Sequence, residues 1–290
     1  MIKSRGAKIA DWIIVFICVI IIFVCLLPIV NIAARSLSSA DALMRSKVIL
    51  WPVEFNVDAY AKILSDVKYT RSLGWTAILT VICTALSMFM TIMCAFPLIY
   101  NNLKGKRVFN AMIIFTMYFS AGTIPNYLLL KDLGLLENAL VMIIPNCLSV
   151  FNMIILRSFF YGIPESLKEA AELEGCGPFR TLINVYLPLS TPTLATLSLF
   201  YAVGRWNGFS DALMYITRTK ELFPIQLLLY NLLQNMMSID IATQEGFTMP
   251  GVTEGVKAAT VMFAIVPILI VYPLLQRYFI AGVTLGGVKG

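Results

Sequence analysis

Six apolar runs, each near the length needed to cross a bilayer, constrain this chain more than any other feature. They lie at about 12–34, 73–100, 108–130, 139–160, 187–216 and 256–279. A hydrocarbon core of about 30 Å takes about 20 apolar residues in helical form. With 59% hydrophobic and only 13% charged residues, the chain has too little charge to cover a water-facing surface. The expectation is an all-α polytopic membrane protein, one transmembrane domain over 1–290, with six transmembrane helices. The first run exceeds the apolar region of a signal peptide and reads as a retained helix.

Orientation rests on the short connecting segments, because the whole-chain count of Lys and Arg is balanced between the two sides. Lys3, Arg5 and Lys8 precede the first run, and Lys104, Lys106 and Arg107 fill the turn between the second and third. The 131–138 loop holds Lys131 alone. Positive segments stay inside, so both termini are expected in the cytoplasm of a bacterial plasma membrane. The net charge of +6 is assigned to these loops and the anionic inner leaflet rather than to nucleic acid.

Catalysis has little to work with. The chain has no histidine, no GxSxG or HExxH string and no GxxxxGK[ST] loop. Its six cysteines form no CxxC pair and read as small apolar fillers, with neither disulfide nor metal expected. Internal prolines (Pro97, Pro125, Pro145, Pro192, Pro267 and Pro273) admit two readings, kinks that open a pathway or ordinary packing kinks.

The polar segment between the fourth and fifth runs carries most of the information. From Ile163 to Gly175 it reads as a short cytoplasmic helix, with Pro164 in the first turn and Gly175 as its stop. Ile163, Leu167, Ala170 and Ala171 make a small apolar face, and Lys168 and Glu172 a polar one. Acids outnumber bases, so the cationic face of a lipid-surface helix is missing and a protein groove is the better seat.

Within it, Glu169-Ala170-Ala171, three residues, Gly175, nine residues and Val185-x-Leu187-Pro188 resemble the EAA signature of ATP-binding-cassette (ABC) importer permeases. Every spacing matches, with Val185 in place of the usual isoleucine. The resemblance implies the type I importer permease fold, with coupling helices over about 163–186 that dock in a partner ATPase. Glu169, Ala170, Ala171, Gly175, Leu187 and Pro188 would be the coupling residues. Cys176 and Gly177-Pro178 depart from the commoner small-residue pattern.

Further on, Trp206-Asn207-Gly208-Phe209 resembles the WNxF string of carbohydrate permeases, and residues 276–290 resemble the terminus of maltose-type subunits. The run 222–230 is similar to the subgroup for complex oligosaccharides or polysaccharide fragments. The implied assembly has a second homologous permease, two ATPases and an extracytoplasmic solute-binding protein. ATP and magnesium would sit on the ATPases, and no cofactor on this chain. Substrate-path candidates are Arg205, Trp206, Asn207, Tyr118 and Asn126. For the first three the other reading is structural, with Arg205 reaching outward to water; for the last two it is packing. In the outer loop, Gln244, Glu245, Gly246 and Phe247 are the candidates for contact with the binding protein, against a mobile connector. Importers of non-sugar solutes and ion-coupled transporters are the competing classes.

Overall fold

The computed structural model describes the backbone of residues 5–244 and 251–286, with side chains over 11–234, 254–270 and at 273. Described residues contain helices and no strand. In chain order the helices are α1 (Arg5–Ser36), α2 (Ala40–Met44), α3 (Asp58–Ser65), α4 (Val67–Ala95), α5 (Lys106–Tyr118), α6 (Thr123–Asp132), α7 (Leu140–Ile143) and α8 (Val150–Gly162). They continue as α9 (Glu165–Leu173), α10 (Pro178–Thr181), α11 (Leu187–Leu189), α12 (Thr191–Asn207), α13 (Ser210–Tyr215), α14 (Ile225–Gln244) and α15 (Gly251–Gly286).

Among the described residues two helical stretches, Asp11–Ser36 and Val67–Ile99, are long and apolar enough to cross a membrane. The number rises to four if each bent pair forms one span: Lys106–Tyr118 with Thr123–Asp132, bent by 114°, and Pro178–Leu189 with Thr191–Asn207, bent by 83°. Six unbroken spans are therefore not what the helices give. The third, fourth and fifth apolar runs are each interrupted, the third at 119–122, the fourth at 144–149 and the fifth at Ser190 and again at 208–209. Apolar periodicity does not register these breaks, because most residues in them are apolar or small, although Pro145, read as a kink, lies in one of them. The expected loop over 217–255 also differs, since α14 occupies much of it. There the run Ile225–Tyr230, read only as a subgroup mark, opens a helix after Pro224.

The chain divides into two compact units, 1–70 with 228–266 and 71–227 with 267–290. In the first, α1 exposes apolar side chains all round from Trp12 to Val30, the pattern of a helix surrounded by lipid or by other protein. Its C-terminal end is held by the segment that follows. Ser36 and Tyr60 hydroxyls lie 2.8 Å apart, Ser38 accepts the Val53 N–H at 3.1 Å, and Asn31 donates to the Ile49 carbonyl at 2.6 Å. Ala34, Ala42, Leu43 and Val48 form the small buried cluster beneath.

The second unit is organised along α4. At one end Trp75 donates to the Leu222 carbonyl at 2.9 Å and Thr76 accepts the Ile225 N–H at 2.8 Å. Ala95 is fully buried at the other. Thr76 and Ala95 are about 28 Å apart along a helix, close to the thickness of a hydrocarbon core. One turn before Ala95, the Tyr201 hydroxyl lies 2.7 Å from that of Thr91 and accepts the Ser149 N–H at 3.1 Å. Ser149 is in turn the N-cap of α8, accepting from Asn152 N at 3.3 Å. One phenol thus ties α4 and α12 to the restart of the broken fourth run.

Tyr201→Phe leaves the Ser149 N–H without its partner and is expected to destabilise the protein by about 1 kcal/mol. The measurement is the thermal midpoint of the purified protein in detergent, which should fall by a few degrees while secondary structure is unchanged.

Candidate functional site

The EAA-like segment folds as its sequence suggests, with one shift. Pro164 is the N-cap of α9 rather than a residue of its first turn, with extended ψ of 132°, and its carbonyl accepts the Leu167 N–H at 3.2 Å. Glu165 opens the helix, where a carboxylate meets its positive end. Lys168 sits between Glu165 (4.0 Å) and Glu172 (3.8 Å), with its ammonium 4.6 Å from the Tyr100 ring centre. Such exposed pairs contribute about 0.5 kcal/mol or less each. They aim Lys168 inward, while Glu169 lies on the exposed side of α9 with no hydrogen bond or ion pair among the described residues. Of the expected apolar face, Ala171 is buried and Leu167 and Ala170 are exposed; Leu173, outside that face, is also exposed.

The spacing from Ala171 to Gly175 has a direct structural cause. Gly175 N–H donates to the Glu172 carbonyl at 3.0 Å and Cys176 N–H to the Ala171 carbonyl at 2.9 Å. This pair of reversed bonds closes a helix only when the residue after the cap is left-handed, and Gly175 has φ of +81°. A side chain there costs about 1–2 kcal/mol in backbone strain.

Pro188 explains the geometry at the other end of the signature. It has no N–H to give the Asn184 carbonyl. The ladder widens instead, with a π turn over Leu182–Tyr186 and the Leu187 N–H reaching back to Leu182. The 83° bend between Pro178–Leu189 and Thr191–Asn207 follows at once.

This segment is fastened to the ends of α4 and α8 by aromatic rings. Tyr186 lies 5.3 Å from both Phe96 and Phe160, edge to face, and Phe96 meets Phe160 at 6.3 Å. Each such pair adds about 0.5–1.5 kcal/mol beyond burial. Tyr161 donates to the Leu98 carbonyl at 2.9 Å. The signature is thus the outer layer of a block that includes α4 and α8.

Around the fifth run, the structure separates residues that the sequence groups together. Arg205, Trp206 and Asn207 are consecutive on a helix, about 100° apart, and face three surroundings. Arg205 is buried (8% exposed) and forked onto Asp211 (11% exposed), not turned outward to water. Its guanidinium also donates to the Gly208 carbonyl at 2.8 Å and the Met142 carbonyl at 3.3 Å. Trp206 lines an apolar groove with Val81, Met88 and Pro267. Asn207 is exposed at the end of α12. A Cβ at Gly208 would lie 3.1 Å from the Gly204 carbonyl, so a side chain there requires that carbonyl to shift by a few tenths of an ångström. Beside Arg205 is a cavity of about 390 Å³ with a mixed lining, polar at Asn146, Asn152 and Asp211 and apolar at Met142, Phe200 and Phe209. Tyr118 and Asn126 are both exposed, on either side of the 114° bend, and do not line the cavity beside Arg205. Gln244 ends α14, its side chain outside the described set, and Glu245, Gly246 and Phe247 lie outside the described residues.

Two groups were missed. Arg157, within the fourth apolar run, hydrogen-bonds Asn110 of α5; an arginine inside an apolar run was signal enough. Glu137 had no local signal. Its carboxylate accepts the N–H groups of Thr217 (2.8 Å), Arg218 (3.1 Å) and Thr219 (3.1 Å), and the Thr217 hydroxyl (2.7 Å). These bonds, the Thr217 amide foremost, lower its pKa from 4.5 to about 2.

The pattern described as "Binding-protein-dependent transport system inner membrane component" matches residues 85–285. The chain is 38% identical to the "Polygalacturonan/rhamnogalacturonan transport system permease protein YtcP" of Bacillus subtilis (strain 168), over 92% of this chain and 93% of that protein. It is likewise 38% identical to "Protein LplC" of the same organism, over 91% and 90%. A solved chain from "a bacterial ABC transporter involved in the import of the acidic polysaccharide alginate" superposes with a TM-score of 0.85 at 33% identity, covering 96% of this chain and 99% of that one.

Gly175→Ala is expected to lower stability by about 1–2 kcal/mol, and Gly175→Asn by less, because asparagine tolerates the left-handed region. Thermal midpoints of the purified variants rank the three. For Glu137, the depressed pKa makes the clamp fully stabilising above pH 4.5 and lost as pH falls toward 2. Hydrogen exchange at Thr217, Arg218 and Thr219 should accelerate across that window, and already at neutral pH in Glu137→Gln.

Proposed function

The chain belongs to the family of binding-protein-dependent transport system inner membrane components, and on that premise we propose that it is a permease subunit of an ATP-driven sugar importer, forming half of the translocation pathway. The observation that carries the reading is the 163–189 segment. It combines an outward Glu169, a glycine-closed helix and an aromatic fastening to α4 and α8.

In this reading α9 docks in a groove of a partner ATPase, with Glu169, Ala170, Ala171 and Gly175 at or behind the contact. Leu187 and Pro188 set the bend that passes its motion to α12. ATP and magnesium belong to two partner ATPases, and this chain carries no catalytic group and no cofactor. A second, homologous permease completes the pathway. The family's description implies a solute-binding protein outside, for which 244–247 are the proposed contact. Both termini are proposed to face the cytoplasm, with the 101–107 turn and α9 on that side, as their packing at the same end of α4 supports.

The substrate is proposed to be an oligosaccharide. Relatives at 38% and 33% identity are named for polygalacturonan/rhamnogalacturonan and alginate, so fragments of acidic polysaccharides are the first to test. Arg205 is engaged by Asp211 and is not free to pair with a sugar carboxylate. Its role in this reading is to shape the pathway wall, and direct contact falls to Tyr118, Asn126 and Asn207 on exposed surfaces.

The test is reconstitution in vesicles with the second permease, the ATPase and the binding protein. Uptake of labelled oligogalacturonide or alginate fragments should require ATP. Glu169→Lys should reduce uptake at least tenfold while the subunits still insert. Uptake by this chain alone, insensitive to ATP depletion, would instead mark an ion-coupled transporter.

A further inference from the structure

Two polar groups on the cavity beside Arg205 have no partner among the described residues. Ser87 of α4 is 2% exposed and Asn152 of α8 is 6% exposed, and both line that cavity. Neither side chain makes a hydrogen bond or ion pair there. Asn146, in the break before α8, brings a second unbonded amide to the same space. Buried polar groups are ordinarily paired. A hydroxyl and an amide left open together call for an occupant that can bond both.

Depth and local structure point to a solute. Along α4, Ser87 is about 16 Å from Thr76 and about 12 Å from Ala95, near the middle of a hydrocarbon core. Two breaks open at the cavity. Asn146 and Ser149 come from the interruption of the fourth run, Gly208 and Phe209 from the second interruption of the fifth, and all four are in the lining. In ion-coupled transporters, solute sites form where discontinuous helices meet near the midplane. The physical reason is general, because a broken helix presents polar groups that an unbroken one keeps to itself.

The lining also sets the chemistry. Its charged residues, Arg205 and Asp211, are paired with each other. A carboxylate entering would find no free cation, and an unpaired charge at this depth is expensive. Neutral hydroxyl groups donate and accept at once, which suits the two amides and the serine. Phe200, 42% exposed, adds a ring against which the apolar face of a sugar can lie. At about 390 Å³ the cavity stands at the small end of ligand sites, with room for one sugar ring and not for a chain.

We propose that this cavity is a subsite for one uncharged sugar ring of the translocated oligosaccharide, bonded by Ser87, Asn146 and Asn152 and packed on Phe200. The proposal rests on the importer reading above and narrows it. The solute carries at least one neutral residue, and its carboxylates stay outside the cavity. Ser87 and Asn152 serve the solute rather than the fold, so their removal weakens binding and leaves stability intact.

The experiment measures equilibrium binding to the permease–ATPase complex in nanodiscs, without the solute-binding protein, whose own affinity would mask the subsite. The probes are a labelled rhamnogalacturonan fragment, whose rhamnose residues are uncharged, and an oligogalacturonide of equal length. The wild-type complex should bind the rhamnogalacturonan fragment at least about threefold more tightly. Ser87→Ala and Asn152→Leu should each raise that Kd by about threefold or more and shrink the preference. Their thermal midpoints should be unchanged or higher, whereas a structural role for either group would lower them. Ser87→Ala, the smaller change, carries the result alone if Asn152→Leu does not assemble. Unchanged Kd in the variants overturns the proposal and leaves water as the occupant. So does a wild-type preference for the fully acidic fragment, or no saturable binding of either at millimolar concentration. Uptake by the wild type is followed in parallel. ATP-dependent uptake with unaltered variant binding defeats the subsite alone, and absence of that uptake defeats the importer reading and the subsite with it.

Discussion

A peptide group inside hydrocarbon has no water to bond, and the architecture of the second unit follows from that constraint. Unbroken helices satisfy it trivially, but this chain interrupts three of its apolar runs. At the break in the fourth run, and at several helix ends, a side chain supplies the missing partner. Tyr201 receives the Ser149 N–H where α8 restarts. Arg205 caps the carbonyls of Met142 and Gly208, and Cys83 also reaches Met142 at 3.7 Å. Thr76 and Trp75 serve the backbone at 222–225, and Tyr161 that at Leu98. Several of the polar groups within the apolar runs bond backbone that the breaks and helix ends leave open. This is why an apparently functional string such as Arg205-Trp206-Asn207 turns out to be divided in purpose.

The same constraint bears on coupling. A segment that moves at the membrane surface must be attached to something stiff, and a loop held only by its own hydrogen bonds is not. Here the rings of Phe96, Phe160 and Tyr186 interlock three elements, and Pro188 forces a bend whose geometry is fixed by absent rather than present bonds. If α9 docks in a partner ATPase as proposed, its displacement would reach α4 and α8 through the 182–186 turn and these rings, and α12 through the bend. The glycine at 175 contributes rigidity here, because its left-handed conformation closes the helix with two hydrogen bonds.

How much of this could be read from the residues depended on whether the information was local. The coupling segment was legible because its signals are near in sequence: a proline start, a glycine stop and fixed spacings that the capping bonds of Ala171 and Gly175 explain. The breaks at 119–122 and 144–149 were not, because a short apolar or neutral stretch changes hydropathy little whether it is helical or irregular. Glu137 was invisible for another reason. Its partners are the backbone amides of residues about eighty positions away, and any residue type has an amide. Arg205 and Asp211 were conspicuous as charges, but only the fold reveals that they answer each other.

The bend between α5 and α6 carries the argument for a partner furthest. From Lys106, at the basic turn, α5 runs 13 residues, which takes the chain about 18 Å in, well short of crossing about 30 Å of hydrocarbon. There Phe119, Ser120, Ala121 and Gly122 are exposed and non-helical, with Ser120 receiving the Gly122 N–H at 3.3 Å. Irregular backbone at such depth is stable against protein or against a water-filled passage, and not against lipid tails. Tyr118 and Asn126 flank this stretch and are exposed with it. If the surface they share faces a second permease across an aqueous pathway, the exposed backbone, the aromatic ring and the amide all acquire surroundings they can tolerate. Half a pathway is then what the isolated chain should look like, with its polar lining turned outward and its unsatisfied face completed by another subunit.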